Sequence, residues 1–306
     1  MSNLRKTSQY ILRGFLFLSV SLIFFSCAAL PSSDPARAQP ESFAAVDAVL
    51  PQWQPFEQGV GFFHGKTVKP ELEFWALRIE LGAPNLQIVV KGGAEDAADG
   101  TDRTLSAKVS SFVSANGLTA GINAAPFDIA SSKEGQPIKN VGIVISDGKQ
   151  IAPANSRYDA LVFYKDGKAA IVNQSAIKST ENIVNAVGGF HHILVNGKPA
   201  ERTLKRESRD PRSAAGISAN GEYLYLLVID GRRAESAGST EKETAMLLLA
   251  LGSWNGLNLD GGGSTALALR GADGKVRVVN TPVHGGIPGR ERAVAGCIGI
   301  AAGGVK

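Results

Sequence analysis

Cysteine is scarce in this chain. Only Cys27 and Cys297 occur in 306 residues, too few for a disulfide framework. Histidine is nearly as rare, with four copies, no H-E-x-x-H arrangement and no Cys-His cluster, so the patterns that announce a zinc centre are missing. No membrane-length apolar run opens the chain either: the block from Gly14 to Phe25 has twelve residues, against the roughly 20 needed to cross a bilayer as a helix. No lysine stands before Ser264, which excludes a GxxxxGK[ST] phosphate loop at the glycine-rich stretch there. A basic excess is lacking once the first residues are set aside. Of the formal charge of +4, Arg5, Lys6 and Arg13 supply three units with no acidic residue before Ser26 to offset them, leaving about +1. A nearly neutral body offers no electrostatic footprint for nucleic acid.

What the start does contain is a positive stretch, MSNLRKTSQYILR, followed by a short apolar block that ends at Ser26 and Cys27. That is the layout of an export signal. IFFSC, with a small residue just before the cysteine, is similar to a bacterial lipoprotein signal. The expectation is a signal peptide at 1–26, a lipidated N-terminus at Cys27 with a Pro-, Ser- and Ala-rich tether at 27–55, and one folded domain at 56–306. The protein would then be an exported bacterial lipoprotein, anchored to the cell membrane or outer membrane, with its domain in the periplasm or outside the cell. Cys297, inside AVAGCIGIAA, reads as a small buried hydrophobe.

The whole chain is 44% hydrophobic, with 35 glycines, 14 prolines and no internal repeat. Many turns between short elements favour sheet. LEFWALRIEL, VGIVIS, ALVFY, YLYLLVID, LNLD and TALAL are strand-like, and SDGK, KDGK and ANGE supply hairpin turns. Two helices stand out. In RTLSAKVSSFVSANG, Thr104 is placed to cap a helix whose face carries Leu105, Val109, Phe112 and Val113, and Gly117 to close it. In STEKETAMLLLALG, Thr240 and Glu243 form a capping box and Gly252 ends the helix. The fold class expected is α+β, a single domain with a largely antiparallel or mixed sheet core and a few packed helices.

The chemistry concentrates in LNLDGGGSTAL, Leu257 to Leu267. Strand alternation sends Leu257 and Leu259 to the core and Asn258 and Asp260 together to the other face. Gly261, Gly262 and Gly263 lack a Cβ, so their backbone can approach a ligand and turn N–H groups towards an anionic oxygen. Ser264 and Thr265 add hydroxyls. A glycine triplet alone is an ordinary turn, but the pattern repeats: YLYLLVIDGRR runs apolar to Asp230 before Arg232, and GLTAGINAAPFD runs apolar to Asn123 with Asp128 behind it. Three such strand ends can converge on one cleft. Arg212 and Ser213 head another apolar segment, as do Arg290, Glu291 and Arg292. On spacing alone these arginines read as solvated surface charge, whereas in a cleft arginine is the natural clamp for phosphate.

Competing readings are weaker. Ser264, Asp273 and His284 follow the order of a serine-hydrolase triad, but a nucleophile elbow opens a helix, and TALALRGADGKVRVVN reads as a hairpin. His191 and His192 are adjacent and face opposite ways on a strand. A carboxylate–amide pair could hold a divalent cation such as calcium, yet no EF-hand or other ligand spacing supports one, so no metal or cofactor is assigned.

In order along the chain, INAAPFD, PRSAAGIS, VIDGR, GSTEKETAMLLLALGSWNGLNLDGGGSTALAL and VNTP with RERAVAG resemble the phosphodiester glycosidase family, over Leu72 to Ala301. The resemblance implies a glycosidase that hydrolyses the bond between a sugar anomeric carbon and a phosphodiester, acting on envelope or extracellular glycan-phosphate. Its partner is then a sugar-phosphodiester substrate. Under that reading Asp260 is the carboxylate nearest the reacting carbon, with Asp230 and Glu291 as its catalytic partners. Asn123, Asp128, Ser213, Asn258 and Ser264 contact substrate, while Arg212, Arg232, Arg292 and the Gly261, Gly262 and Gly263 backbone hold phosphate. Two departures from the family pattern occur: Ala124, Ala125 and Pro126 follow Asn123 where glycines are usual, and Ser213 replaces threonine. A non-catalytic envelope lipoprotein that binds glycan or phosphate-containing polymer would use the same cleft.

Overall fold

The computed structural model describes residues 51–92, 102–128 and 133–303. The predicted signal peptide, Cys27 and the tether up to residue 50 lie outside them. All described residues belong to one compact unit, and its first strand, Gln54–Glu57, begins just ahead of the boundary expected at Phe56.

Period-two patterning builds the largest sheet. Along the strand Glu71–Glu80, Trp75, Leu77 and Ile79 point to one face and Phe74 and Ala76 to the other. Both sets are buried, so this strand needs cover on two sides. Eight antiparallel strands share the sheet, in the order Gln54–Glu57, Val60–Val68, Glu71–Glu80, Tyr223–Ile229, Arg212–Ile217, Asn255–Asn258, His191–Val195 and Lys198–Pro199. One face receives helix α2 (Glu241–Leu251), whose Ala245, Leu247, Leu248 and Leu251 meet Tyr225, Leu227 and Ile229.

The opposite face closes on two five-stranded antiparallel sheets. The first runs Val276–Val278, Leu267–Arg270, Ala120–Asn123, Cys297–Ala301 and Gln87–Val90, and contributes Ile122, Leu267 and Ile298 to the central core. Its outer face, with Ala268 and Cys297, packs on α1 (Val109–Ala115) through Val109, Phe112 and Val113. The second contains Asp159–Tyr164 and Ile183–Gly188, which add Leu161, Phe163 and Val187 to the same core. Sheet therefore packs on sheet, with one helix outside each layer. Among the described residues strand outweighs helix, 45% against 13%, so the fold is mostly β and antiparallel rather than a clear α+β.

Local expectations fare unevenly. The Asp147-Gly148 hairpin turns with φ of 47° and 74°, as a two-residue connection demands. Helix α2 has its full capping box, Thr240 Oγ1 accepting from the Glu243 N–H while Glu243 accepts from the Thr240 N–H, and Gly252 closes it at φ 114°. Helix α1 is shorter than predicted. Thr104 and Leu105 belong to a small strand, Arg103–Leu105, paired with Pro137–Lys139, and Thr104 Oγ1 donates to the Ala295 carbonyl. The α1 start is satisfied from far away: Glu291 accepts from the Ser110 N–H and hydroxyl at 2.9 and 2.6 Å.

Candidate active site

The strand Asn255–Asn258 lies in the large sheet between Arg212–Ile217 and His191–Val195, with Asn258 opposite both Ala214 and His191. Leu257 and Leu259 are fully buried in the central core, as alternation required. The chain then crosses to the neighbouring sheet, where the Asp260 N–H donates to the Ala124 carbonyl at 2.9 Å. Asn123, fully buried at the end of its strand, secures that crossing. Its Nδ2 donates to the Asp260 carbonyl at 2.6 Å, and its Oδ1 accepts from the Ser213 hydroxyl at 2.7 Å and the Ala266 N–H at 3.1 Å. Asn123 and Ser213, expected to contact substrate, are therefore spent beneath the site. Ala124 and Ala125 are buried core residues, so no glycine is needed after Asn123.

The glycine triplet makes room chiefly for the protein's own groups. A Cβ on Gly261 would stand 2.8 Å from the Pro211 carbonyl oxygen, and one on Gly263 2.6 Å from Arg292 Nη2. Gly262 has φ 59° and faces the Arg232 guanidinium. The Gly262 N–H is engaged by the Pro211 carbonyl and so cannot hold an anion as expected.

Three arginines gather around this turn. Arg212 donates from Nε to the Ser239 carbonyl at 3.1 Å and from Nη2 to the Ser208 carbonyl at 3.0 Å. Arg232, in the left-handed region at φ 57°, donates from Nε and Nη2 to Asp210 Oδ1 at 3.3 and 2.8 Å. Arg292 donates from Nε to His284 Nδ1 at 2.9 Å and from Nη1 to the Ser264 hydroxyl at 3.0 Å. Each keeps one terminal nitrogen, Nη1 of Arg212 and Arg232 and Nη2 of Arg292, without a partner among the described residues. Burial lowers the pKa of Arg212 and Arg292, and repulsion from Arg232 adds to it in both. Like charges held this close, with their flanks already fixed, are organised to receive an anion.

Asp260 faces this cluster. Burial pushes its carboxyl up to about 6, against the opposing pull of Ser264 and Arg292. Asn258 and Thr265 also have unspent capacity: they are 3% and 1% exposed, and Asn258 Oδ1 and Thr265 Oγ1 have no hydrogen-bond partner among the described residues. Beside Asn258 on the α2 side of the sheet, His191 Nε2 donates to Glu241 at 2.7 Å, and Arg206 donates to the other Glu241 oxygen at 3.1 Å. Burial opposes ionisation of Glu241, but those bonds and charges win and hold its pKa low. His192 turns the other way, to Asp159.

The two carboxylates expected to assist Asp260 are occupied. Asp230, 1% exposed, receives bonds from Arg233, Asn280 and the Thr281 N–H. Asn280 also reaches the Thr265 carbonyl at 3.1 Å, so Asp230 braces the far side of the glycine turn. Burial raises its pKa. Glu291 is committed to Ser110 at the start of α1, and burial raises its pKa as well. Asp128 is exposed and bridges the Lys139 backbone instead. The serine triad is not assembled: Ser264 and His284 both accept from Arg292, while Asp273 pairs with Arg277 in a hairpin turn. No cluster of three or more His, Cys, Asp or Glu side chains able to hold a metal occurs among the described residues. Sequence reasoning missed Asp210, Glu241 and Asn280, and met His284 only as a triad member. The VNTP motif held the one usable signal, for Asn280.

A separate cavity of about 470 Å³ lies elsewhere, lined by Leu86, Ile88, Phe163, Tyr164 and Asn185. Of its polar lining groups, Ser146 and Asn185 are spent on the Val90 and Ile88 carbonyls and Lys168 pairs with Asp166.

Solved structures share this architecture. The catalytic domain of zebrafish N-acetylglucosamine-1-phosphodiester alpha-N-acetylglucosaminidase, auto-inhibited by its pro-peptide, superposes with a TM-score of 0.60 at 19% identity, covering 82% of this chain and 85% of that one. A hypothetical protein from Synechocystis gives 0.59 at 15% identity over 80% and 62% of the two chains. A putative exported protein from Burkholderia pseudomallei K96243 gives 0.53 at 15% over 76% and 74%. The sheet-on-sheet fold is thus that of a known structural class. Within it, residues 116–301 match the phosphodiester glycosidase profile, and the chain belongs to that family. The SPbeta prophage-derived uncharacterized protein YomE of Bacillus subtilis strain 168 is 27% identical over 143 residues, 43% of this chain but only 22% of that longer protein.

Proposed function

We propose that this protein hydrolyses a sugar-1-phosphodiester, with water adding to the anomeric carbon, the carbon–oxygen bond breaking, and that oxygen leaving with the phosphate as a phosphomonoester. The observation that carries this reading is the set of three arginines, each with one unspent nitrogen, around the turn that presents Asp260. A phosphate leaving group departs as a stabilised anion, so strong general-acid help is unnecessary. One carboxylate is then sufficient beside the anion clamp, which fits a site where Asp230 and Glu291 are already occupied. Asp260, when ionised, acts as base, nucleophile or stabiliser of the developing positive charge, and Asn258 orients sugar hydroxyls. We further propose that the protein is exported and lipidated at Cys27, which directs the chemistry to envelope or extracellular glycan-phosphate.

The occupied state of Asp230 and Glu291 also suits the rival reading, a binding protein for phosphate-containing glycan. Assaying the purified soluble domain against a panel of sugar-1-phosphodiesters separates the two. Release of free sugar that falls by roughly a thousandfold in Asp260→Asn, with folding retained, is the expected result. Binding without turnover across the panel would leave only the rival.

A further inference from the structure

The bond between Arg292 and His284 carries information beyond its length. An arginine Nε–H can only donate, so His284 Nδ1, 2.9 Å away, must present a lone pair. The imidazole is therefore neutral, with its proton on Nε2. The groups around it agree. His284 is held by its own N–H to the Arg290 carbonyl at 3.0 Å; the charged side chains facing it are Arg292 and Arg290, both cationic, and no carboxylate pairs with it among the described residues. Burial first and then these two arginines lower its pKa. Most histidines beside arginine would be repelled; this one is recruited as an acceptor.

We propose that His284 is a positioning residue for phosphate recognition: its neutral Nδ1 and the Ser264 hydroxyl fix two corners of the Arg292 guanidinium, so that Nη2 alone is presented to the ligand's phosphoryl oxygen. This role rests on the anion-clamp reading above and falls to a residue which that reading did not need. Arg292 comes from the loop just before the last strand and Ser264 from the glycine turn, while His284 stands in the short helical turn His284–Gly286. Three segments thus set one plane. Without the His284 acceptor the guanidinium can rotate about its last bonds, and the entropy of fixing it returns as a cost of binding. Substituents at this position are sorted by acceptor capacity: asparagine can accept from Nε, phenylalanine cannot.

The test uses inorganic sulfate, a dianion that does not titrate between mild acid and neutral pH, measured by calorimetry on the soluble domain alongside KM and kcat for a cleaved sugar-1-phosphodiester. His284→Phe should weaken sulfate binding and raise KM by about tenfold with kcat changed far less, while His284→Asn should recover most of the loss. Nitrogen-15 spectra of the wild-type ring should show Nδ1 bare and Nε2 protonated, and the His284 pKa should rise in Arg292→Ala. Equal sulfate affinities for wild type and His284→Phe, or the opposite tautomer, would overturn the positioning role while leaving the anion site standing. No sulfate binding by wild type would overturn both.

Discussion

Asp260 and Asn258 stand two residues apart on one strand end, yet their neighbours give them different work. Asn258 keeps hydrogen-bonding capacity in reserve, whereas Asp260 is pressed between a protein interior that favours its neutral form and the Ser264 hydroxyl and Arg292, which favour its anion. The folded-state pKa, about 6, lies above the ordinary aspartate value of 3.8. Its contribution to stability is therefore fully present below about pH 4 and lost as pH rises through 6. Asp260→Asn should gain stability relative to wild type as pH rises across that window, measured as a growing difference in denaturation midpoint; a difference flat with pH would contradict the shifted pKa. If the anion is the working form, kcat/KM should climb through the same pH. A falling limb there would assign Asp260 to proton donation instead.

At the scale of the element, the glycine turn and helix α2 make separable demands. A Cβ at Gly263 meets no backbone strain but would sit 2.6 Å from Arg292 Nη2 and 3.3 Å from the His284 Cα, so the guanidinium must shift out of the position that His284 and Ser264 set. Gly263→Ala should therefore fold normally and lose roughly tenfold in phosphate affinity by titration, as the arginine gives way. Thr240→Ala removes half of the α2 capping box and should cost about 1 kcal/mol in chemical denaturation. The capping box, the hairpin turns and the facing of Leu257 and Leu259 were all legible, because local spacing determines them. The start of α1 was not, since its N-terminal donors are met by Glu291, which is 181 residues away. The same limit applies to the site. Periodicity tells which face Asn123, Ser213 and Asp230 occupy, but whether their bonding capacity is spent depends on partners from other strands. Asp260 and the three arginines could be picked out as chemistry; the division between working and supporting groups could not.

For the whole molecule, export and anchoring are the expectation that reaches beyond the described residues. Cys27→Ser should shift the protein from the membrane fraction to the soluble fraction and abolish incorporation of labelled palmitate, with turnover by the domain unaffected. Retention in the membrane would remove the lipid anchor from the account. The architecture itself sets a further condition. Asn123 belongs to one sheet, Ser213 to the sheet stacked against it, and the Asp260 carbonyl to the segment after Asn258 that crosses between them. Asp260 is thus hung from a joint between two layers, much as a hinge pin is held by two plates. Any sliding of one layer on the other, even one that leaves every strand intact, moves Asp260 relative to Arg292, so the geometry of the candidate site is only as rigid as the interior that separates the sheets.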